Sequence, residues 1–261
     1  MKTLARKRRH PAALVVLLLL GLLVTGGAYA VTNSLTEAKS AEQDQALIDE
    51  GRQLFLEGCS SCHGNQGTGT ETGPSLIGVG AANVHFQMAT GRMPLAGPAV
   101  QAPSKTPEYD EQQIAAIASY IASLAPGPAI PSAADLNTSE ADAAEGGELF
   151  RANCAQCHQA SFQGGALNDG RHAPNLTPVS DQLIFEAMLS GPQNMPVFSD
   201  SSLPVEDKQA IIAYINELRE APAPGGWALG SFGPVTEGLF FWTVGIAAAI
   251  ACAVWIGAKV R

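Results

Sequence analysis

The chain has 261 residues, more than one ordinary domain needs, and 24 acidic against 15 basic residues leave it at −9. Between residues 31 and 230 the imbalance steepens to 23 acidic against 8 basic, or −15, which excludes nucleic acid as a partner because its phosphates need Lys and Arg. Such a body suits a solvated acidic surface or docking onto a basic partner, while 27 Gly, 17 Pro and only 6% aromatics point to small helical units with turn-rich loops rather than one large sheet.

In chain order, residues 1–36 come first. Lys2, Arg6, Lys7, Arg8 and Arg9 precede "PAALVVLLLLGLLVTGGAYAV", and no charge occurs from Pro11 to Thr36. The 20 residues Ala12–Val31 form a helix long enough for a hydrocarbon core of ~30 Å. Ala28-Tyr29-Ala30 also has the small-residue pattern of a signal-peptidase site. The segment is therefore a transmembrane anchor or a cleaved signal, and either one exports the region after it.

Residues 37–125 form a first unit. The apolar-periodic "EGRQLFLEG" leads into "CSSCH". A long loop comes next, then the amphipathic "IAAIASYIASL" (114–124), in which Ile117, Tyr120, Ile121 and Leu124 share a face. Residues 126–143, rich in Pro, Ala and Ser, read as a linker. Residues 144–222 repeat the first plan. "EGGELFRANCAQCH" places Glu145, Gly146, Leu149, Phe150, Cys154, Cys157 and His158 at a constant offset of 95 from Glu50, Gly51, Leu54, Phe55, Cys59, Cys62 and His63. "KQAIIAYINEL" (208–218) answers the second helix. Seven identities in one register mark a duplicated domain.

A connector, 223–236, leads to the last segment, 237–261. Gly238–Ala258 is 21 residues without charge, with Phe240, Phe241 and Trp242 near one edge and Trp255 near the other, as interfacial aromatics should lie. Lys259 and Arg261 mark its cytoplasmic side, and the N-terminal cluster gives the same orientation. Each unit carries the Cys-x-x-Cys-His spacing of c-type cytochromes, and the expected fold is all-α: two tandem class I-type cytochrome c domains, a C-terminal transmembrane helix, and an N-terminal anchor or signal. With the first segment retained, both termini are cytoplasmic and the two units face outward at the plasma membrane.

Cys-x-x-Cys-His is the attachment signature of c-type haem. Two thiols at i and i+3 lie on one face of a helical turn and can bond the two vinyl groups, and the next residue aims its imidazole at the iron. Cys59, Cys62, Cys154 and Cys157 are thus the candidate attachment points of two covalent haem c groups, with His63 and His158 as axial ligands. A single zinc bound by four thiolates fits by count but leaves both histidines unexplained. A redox disulfide expects a βαβ setting that is absent. Met93 in "TGRMP" and Met195 in "GPQNMPVF", 30 and 37 residues beyond the histidines, are the distal ligand candidates, because Pro restrains the residue before it. His85 and His172 are the bis-histidine alternative. Met88 and Met188 read as packing residues, Gly51 and Gly146 as close-contact points for the later helix, and Cys252 as an inert mid-membrane thiol. Pro74 and Pro174 are expected to offer carbonyls to the second imidazole nitrogens. His/Met ligation fills both axial positions, which suits electron transfer and not peroxide or oxygen binding.

From Glu50 to Ala258 the chain resembles the dihaem cytochrome c subunit (cytochrome cc) of the actinobacterial cytochrome bcc complex. The resemblance rests on "GPSLIGVG" (73–80), "TGRMP" (90–94), "QAPSKTP" (101–107), "GGAL" (164–167), "AMLSGPQNMPVF" (187–198) and "PGGWALGSFGP" (224–234) leading into "WIGAKVR". It implies a respiratory electron-transfer subunit of a quinol–cytochrome c reductase (a translocase), with the quinol chemistry on partner subunits and no catalytic residue of its own. Electrons would pass from menaquinol at the cytochrome b subunit, through the Rieske iron–sulfur subunit and this chain's two haems, to cytochrome c oxidase within a supercomplex. Membrane lipid and partner helices would meet the C-terminal span, whose Gly245/Ala249 face suits close packing. A cytochrome subunit of another membrane dehydrogenase and a dihaem cytochrome c peroxidase are the alternatives.

Overall fold

The computed structural model describes residues 11–97, 99–220 and 234–259. The basic N-terminal cluster, most of the connector with its "PGGWALGSFG" stretch, and Arg261 lie outside the described residues.

Helix α1 (Pro11–Gly58) is 48 residues long, about 72 Å at the α-helical rise. Its apolar portion, Val15–Thr32, has a mean hydropathy of 2.2 and none of it is buried. The same helix continues past residue 36, where the change in composition places the end of the anchor, and becomes the first helix of the first unit. The cause is local. No Gly or Pro occurs between Gly27 and Gly51, and the intervening Ala, Glu, Gln and Lys residues favour helix.

Three further helices complete the first unit: α2 (Ser60–His63), α3 (Gly80–Ala89) and α4 (Glu111–Leu124). A reciprocal capping box between Asp110 and Gln113 starts α4. Helices α1 and α4 cross at Gly51, where an added methyl group would overlap the backbone carbonyl of Ala116. Beside the crossing, fully buried Phe55 meets Tyr120 with ring centroids 5.3 Å apart. Val84 and Met88 of α3 close this core over Ile114, Ile117 and Ile121.

The second unit repeats the crossing with α5 (Ala143–Asn153), α6 (Ala155–His158), α7 (Asp181–Ser190) and α8 (Val205–Glu220). A methyl group on Gly146 would overlap the carbonyl of Ala210, and Phe150 lies 5.8 Å from Tyr214. Met188 is buried in the core, as Met88 is in its own. One feature has no counterpart among the described residues of the first unit. Two-residue strands β1 (Gly165–Ala166) and β2 (His172–Ala173) pair antiparallel, with Gly165 opposite Ala173.

The Pro-rich segment between the units is docked. The Pro128 carbonyl accepts from the Ala82 amide at 3.1 Å, Ile130 packs on the first core and Leu136 on the second. Gln209 Nε2 donates to the carbonyls of Ala134 and Asp135. The units also meet directly, α3 against α7. After the connector, α9 (Pro234–Phe240), a π-helical turn (Phe241–Gly245) and α10 (Ile246–Lys259) form one run. Within it Val235–Ala258 has a mean hydropathy of 2.2 and no buried portion. Phe241, Trp242 and Trp255 are exposed on its surface.

Candidate functional site

In each unit the chain turns sharply at the first cysteine. Cys59 comes after α1 and precedes α2, and its carbonyl accepts from the amides of Cys62 and His63 at 3.2 and 3.0 Å. Cys154 stands between α5 and α6 in the same way, accepting from Cys157 at 3.1 Å and His158 at 2.9 Å. One helical turn therefore carries both thiols and the histidine. Burial, then the neighbouring thiol, pushes the pKa of Cys59 and of Cys154 up to about 11. Both stay neutral thiols at neutral pH until they are alkylated.

The histidines are oriented by proline carbonyls. His63 Nδ1 lies 2.8 Å from the Pro74 oxygen, and His158 Nδ1 lies 3.0 Å from the Pro174 oxygen. A carbonyl can only accept, so Nδ1 is the donor in both rings, which leaves Nε2 as the nitrogen that can face a metal. Burial lowers the pKa of His158, with the Pro174 bond opposing it, so this ring is neutral at neutral pH.

The loops that bring these prolines round are built alike. Gly69 and Gly164 donate to the carbonyls of His63 and His158, and Leu76 and Leu176 donate to those of Gly67 and Phe162. They differ in length: Pro74 comes five residues after Gly69, whereas Pro174 comes ten after Gly164. The extra residues form the β1–β2 hairpin. Its backbone docks on the first unit, with Gln101 donating to the His172 carbonyl at 2.8 Å and accepting from the His172 amide at 2.9 Å.

A cavity of about 480 Å³ adjoins the second motif, within the usual range for cofactor sites. Cys154, Cys157, His158 and Met195 all line it, among the apolar side chains of Phe150, Leu176, Ile184 and Ile211. Covalent haem needs two thiols one turn apart, an imidazole with a free nitrogen and a dry slot, and this wall offers all of them. In the first unit, Cys59 and Met93 pack on the same core beside Leu76 and Tyr109. The alternative ligand His85 is engaged elsewhere, its Nδ1 2.7 Å from Glu186 Oε2 of the second unit. His172 lines the second cavity from β2. Among the described residues no group of three or more His, Cys, Asp or Glu could hold a metal ion by itself, which leaves the four-thiolate zinc reading without support.

The His85–Glu186 pair was missed in the sequence. Its signal was a second register: "HFQMATG" (85–91) over "FEAMLSG" (185–191), offset by 100, sets Glu186 against Phe86. A lone carboxylate at a core-facing helix position calls for a partner. Glu186 is fully buried, and its other oxygen accepts from Gln182 at 3.0 Å.

Known families match both units. The cytochrome c family model covers residues 48–125, and that described as cytochrome c oxidase, cbb3-type, subunit III covers 141–215. Two such units, each with its cysteine pair, define an electron-transfer protein of the dihaem c type with two covalently bound haem c groups. The chain is 44% identical to a cytochrome bc1 complex cytochrome c subunit of Corynebacterium efficiens, over 97% of this chain and 91% of the relative. The similarly named protein of Mycobacterium tuberculosis is 46% identical over 97% and 93%, and that of Mycobacterium leprae 45% over 94% and 87%. The chain belongs to this family of cytochrome bc1 complex cytochrome c subunits, and it is a membrane protein with candidate spans at both ends.

Proposed function

We propose that the chain relays single electrons within a cytochrome bc complex, from the Rieske iron–sulfur subunit, reduced by menaquinol at cytochrome b, to cytochrome c oxidase. In this reading Cys59 and Cys62 hold the first haem and Cys154 and Cys157 the second. His63 and Met93 would hold one haem iron, and His158 and Met195 the other. The observation that carries it is the repeated imidazole frame: in both units a proline carbonyl fixes Nδ1 and frees Nε2.

When bound, each haem supplies a reversible one-electron iron couple. The chain sets the conditions for it. The proline carbonyls orient each imidazole and raise its basicity. The methionine thioethers raise the potential and close the distal positions. Apolar walls from Phe150, Ile184 and Ile211 keep water from the second site. The α3–α7 contact and the His85–Glu186 pair hold the two sites in a fixed relation. With the N-terminal segment retained as an anchor, both termini lie on the cytoplasmic side, the units 37–125 and 144–222 face outward, and both spans contact lipid.

Affinity purification of the tagged chain from gently solubilised membranes tests the assignment. Cytochrome b, Rieske and oxidase subunits are expected in the eluate. A dehydrogenase in their place would overturn it.

A further inference from the structure

Arg92 belongs to the first unit and immediately precedes Met93, yet its side chain lines the cavity of the second unit. It is 9% exposed. Among the described residues its guanidinium meets no carboxylate and no hydrogen-bond acceptor. Its neighbour is the Phe86 ring, 5.1 Å away. A cation–π contact offsets only part of the cost of burying such a charge.

The charge inventory of the cavity is one-sided. The second unit contributes no Lys, Arg, Asp or Glu to the wall. The cations come from the first unit, Arg92 and Lys105, and Lys105 already pairs with Glu108 at 2.5 Å. In the second register, Pro192 stands where the first unit has Arg92. A haem c bound here would bring two propionate carboxylates, and a guanidinium matches a carboxylate with two parallel hydrogen bonds.

We propose that Arg92 is the cross-unit counter-ion of the second haem, pairing with a propionate of the group held by Cys154, Cys157 and His158. The inference rests on the proposed attachment of a haem at those three residues. Arg92 is a positioning residue. Its charge favours the reduced, less positive iron, and it makes the potential of the second haem depend on the first unit being docked.

The test uses the full haem-loaded chain in detergent. Peptide mass analysis first establishes whether both Cys-x-x-Cys-His peptides carry haem. A bare Cys154–Cys157 peptide would sink the attachment reading itself. Spectroelectrochemical titration then compares wild type, Arg92→Met and Arg92→Lys. The second haem is recognised as the one whose potential moves in a Met195→His background. In Arg92→Met its oxidised-to-reduced equilibrium shifts about tenfold toward ferric, a fall of ~59 mV for one electron. The first haem keeps its potential, and Arg92→Lys restores most of the loss. An unchanged second haem, or a shift confined to the first, would overturn the proposal. Should Arg92→Met not accumulate, a structure of the haem-loaded wild type decides: a second-haem propionate beyond hydrogen-bond reach of Arg92 contradicts it.

Discussion

The two units share a frame and differ in cover. Both cross their helices at a glycine, both hang the histidine from a proline carbonyl, and both close a loop with the same backbone hydrogen bonds. In the first unit Gly67 sits where a side chain would press on Leu124, and Cys62 is exposed. In the second, Phe162 occupies the matching position at φ 63°, packs edge-on against Phe150 at 4.9 Å, and His158 is 8% exposed. Five further residues build a hairpin that leans on the first unit. Duplication kept what the iron needs and changed what surrounds it. The first unit leaves a thiol of its motif exposed, and the second is covered partly by its twin.

The largest effect should fall on the shared frame. Gly51→Ala and Gly146→Ala each drive a methyl group into a helix carbonyl, and each is expected to cost about 4 kcal/mol, among the largest single-residue losses. Thermal melts followed at the haem band and by circular dichroism should show the same loss for both. A tolerated alanine at either position would break the equivalence of the two crossings.

The cover comes next. Phe162→Ala removes a buried ring and should destabilise the second unit by about 3 kcal/mol, and alanine gives no relief of the left-handed backbone at this position. Denaturant unfolding watched in each unit separately would place the loss in the second. A loss shared equally would mean that the covers are less distinct than their packing.

Distal ligation sharpens the comparison further. Met93→Ala and Met195→Ala should each lower the potential of one haem by on the order of 0.1 V, within the ~0.8 V that axial ligands span. Redox titration should find different haems moved by the two variants, with loss of the methionine–iron charge-transfer band. Unchanged potentials would remove these methionines from the ligand set.

The smallest effect lies at the seam. His85→Phe leaves fully buried Glu186 with Gln182 as its remaining side-chain partner, a cost of about 1–3 kcal/mol. The double variant with Glu186→Leu should be less damaged than the two single losses combined. Additive losses in a thermal-melt cycle would show that the pair does not couple the units.

Much of this was legible in the chain because it is written twice. Cys59 to His63 and Cys154 to His158 share spacing, Gly51 and Gly146 share a place in the repeat, and the Pro74 and Pro174 carbonyls stand where the imidazoles need them. What the repeat could not give lies in its asymmetries. The hairpin and the His85–Glu186 pair find their partners 71 and 101 residues away, and Arg92 faces a cavity that exists only once both units have folded. The continuity of α1 was hidden for another reason. The change from apolar to polar composition near residue 36 looks like a boundary, but no Gly or Pro breaks the helix there.

The central claim is that each unit carries one haem with histidine and methionine on its iron. Pyridine haemochrome quantification of the purified chain, combined with near-infrared magnetic circular dichroism, tests it most directly. Two thioether-linked haems per chain are expected, both low-spin with the methionine–iron transition. A single haem, or a high-spin iron in either unit, would contradict it.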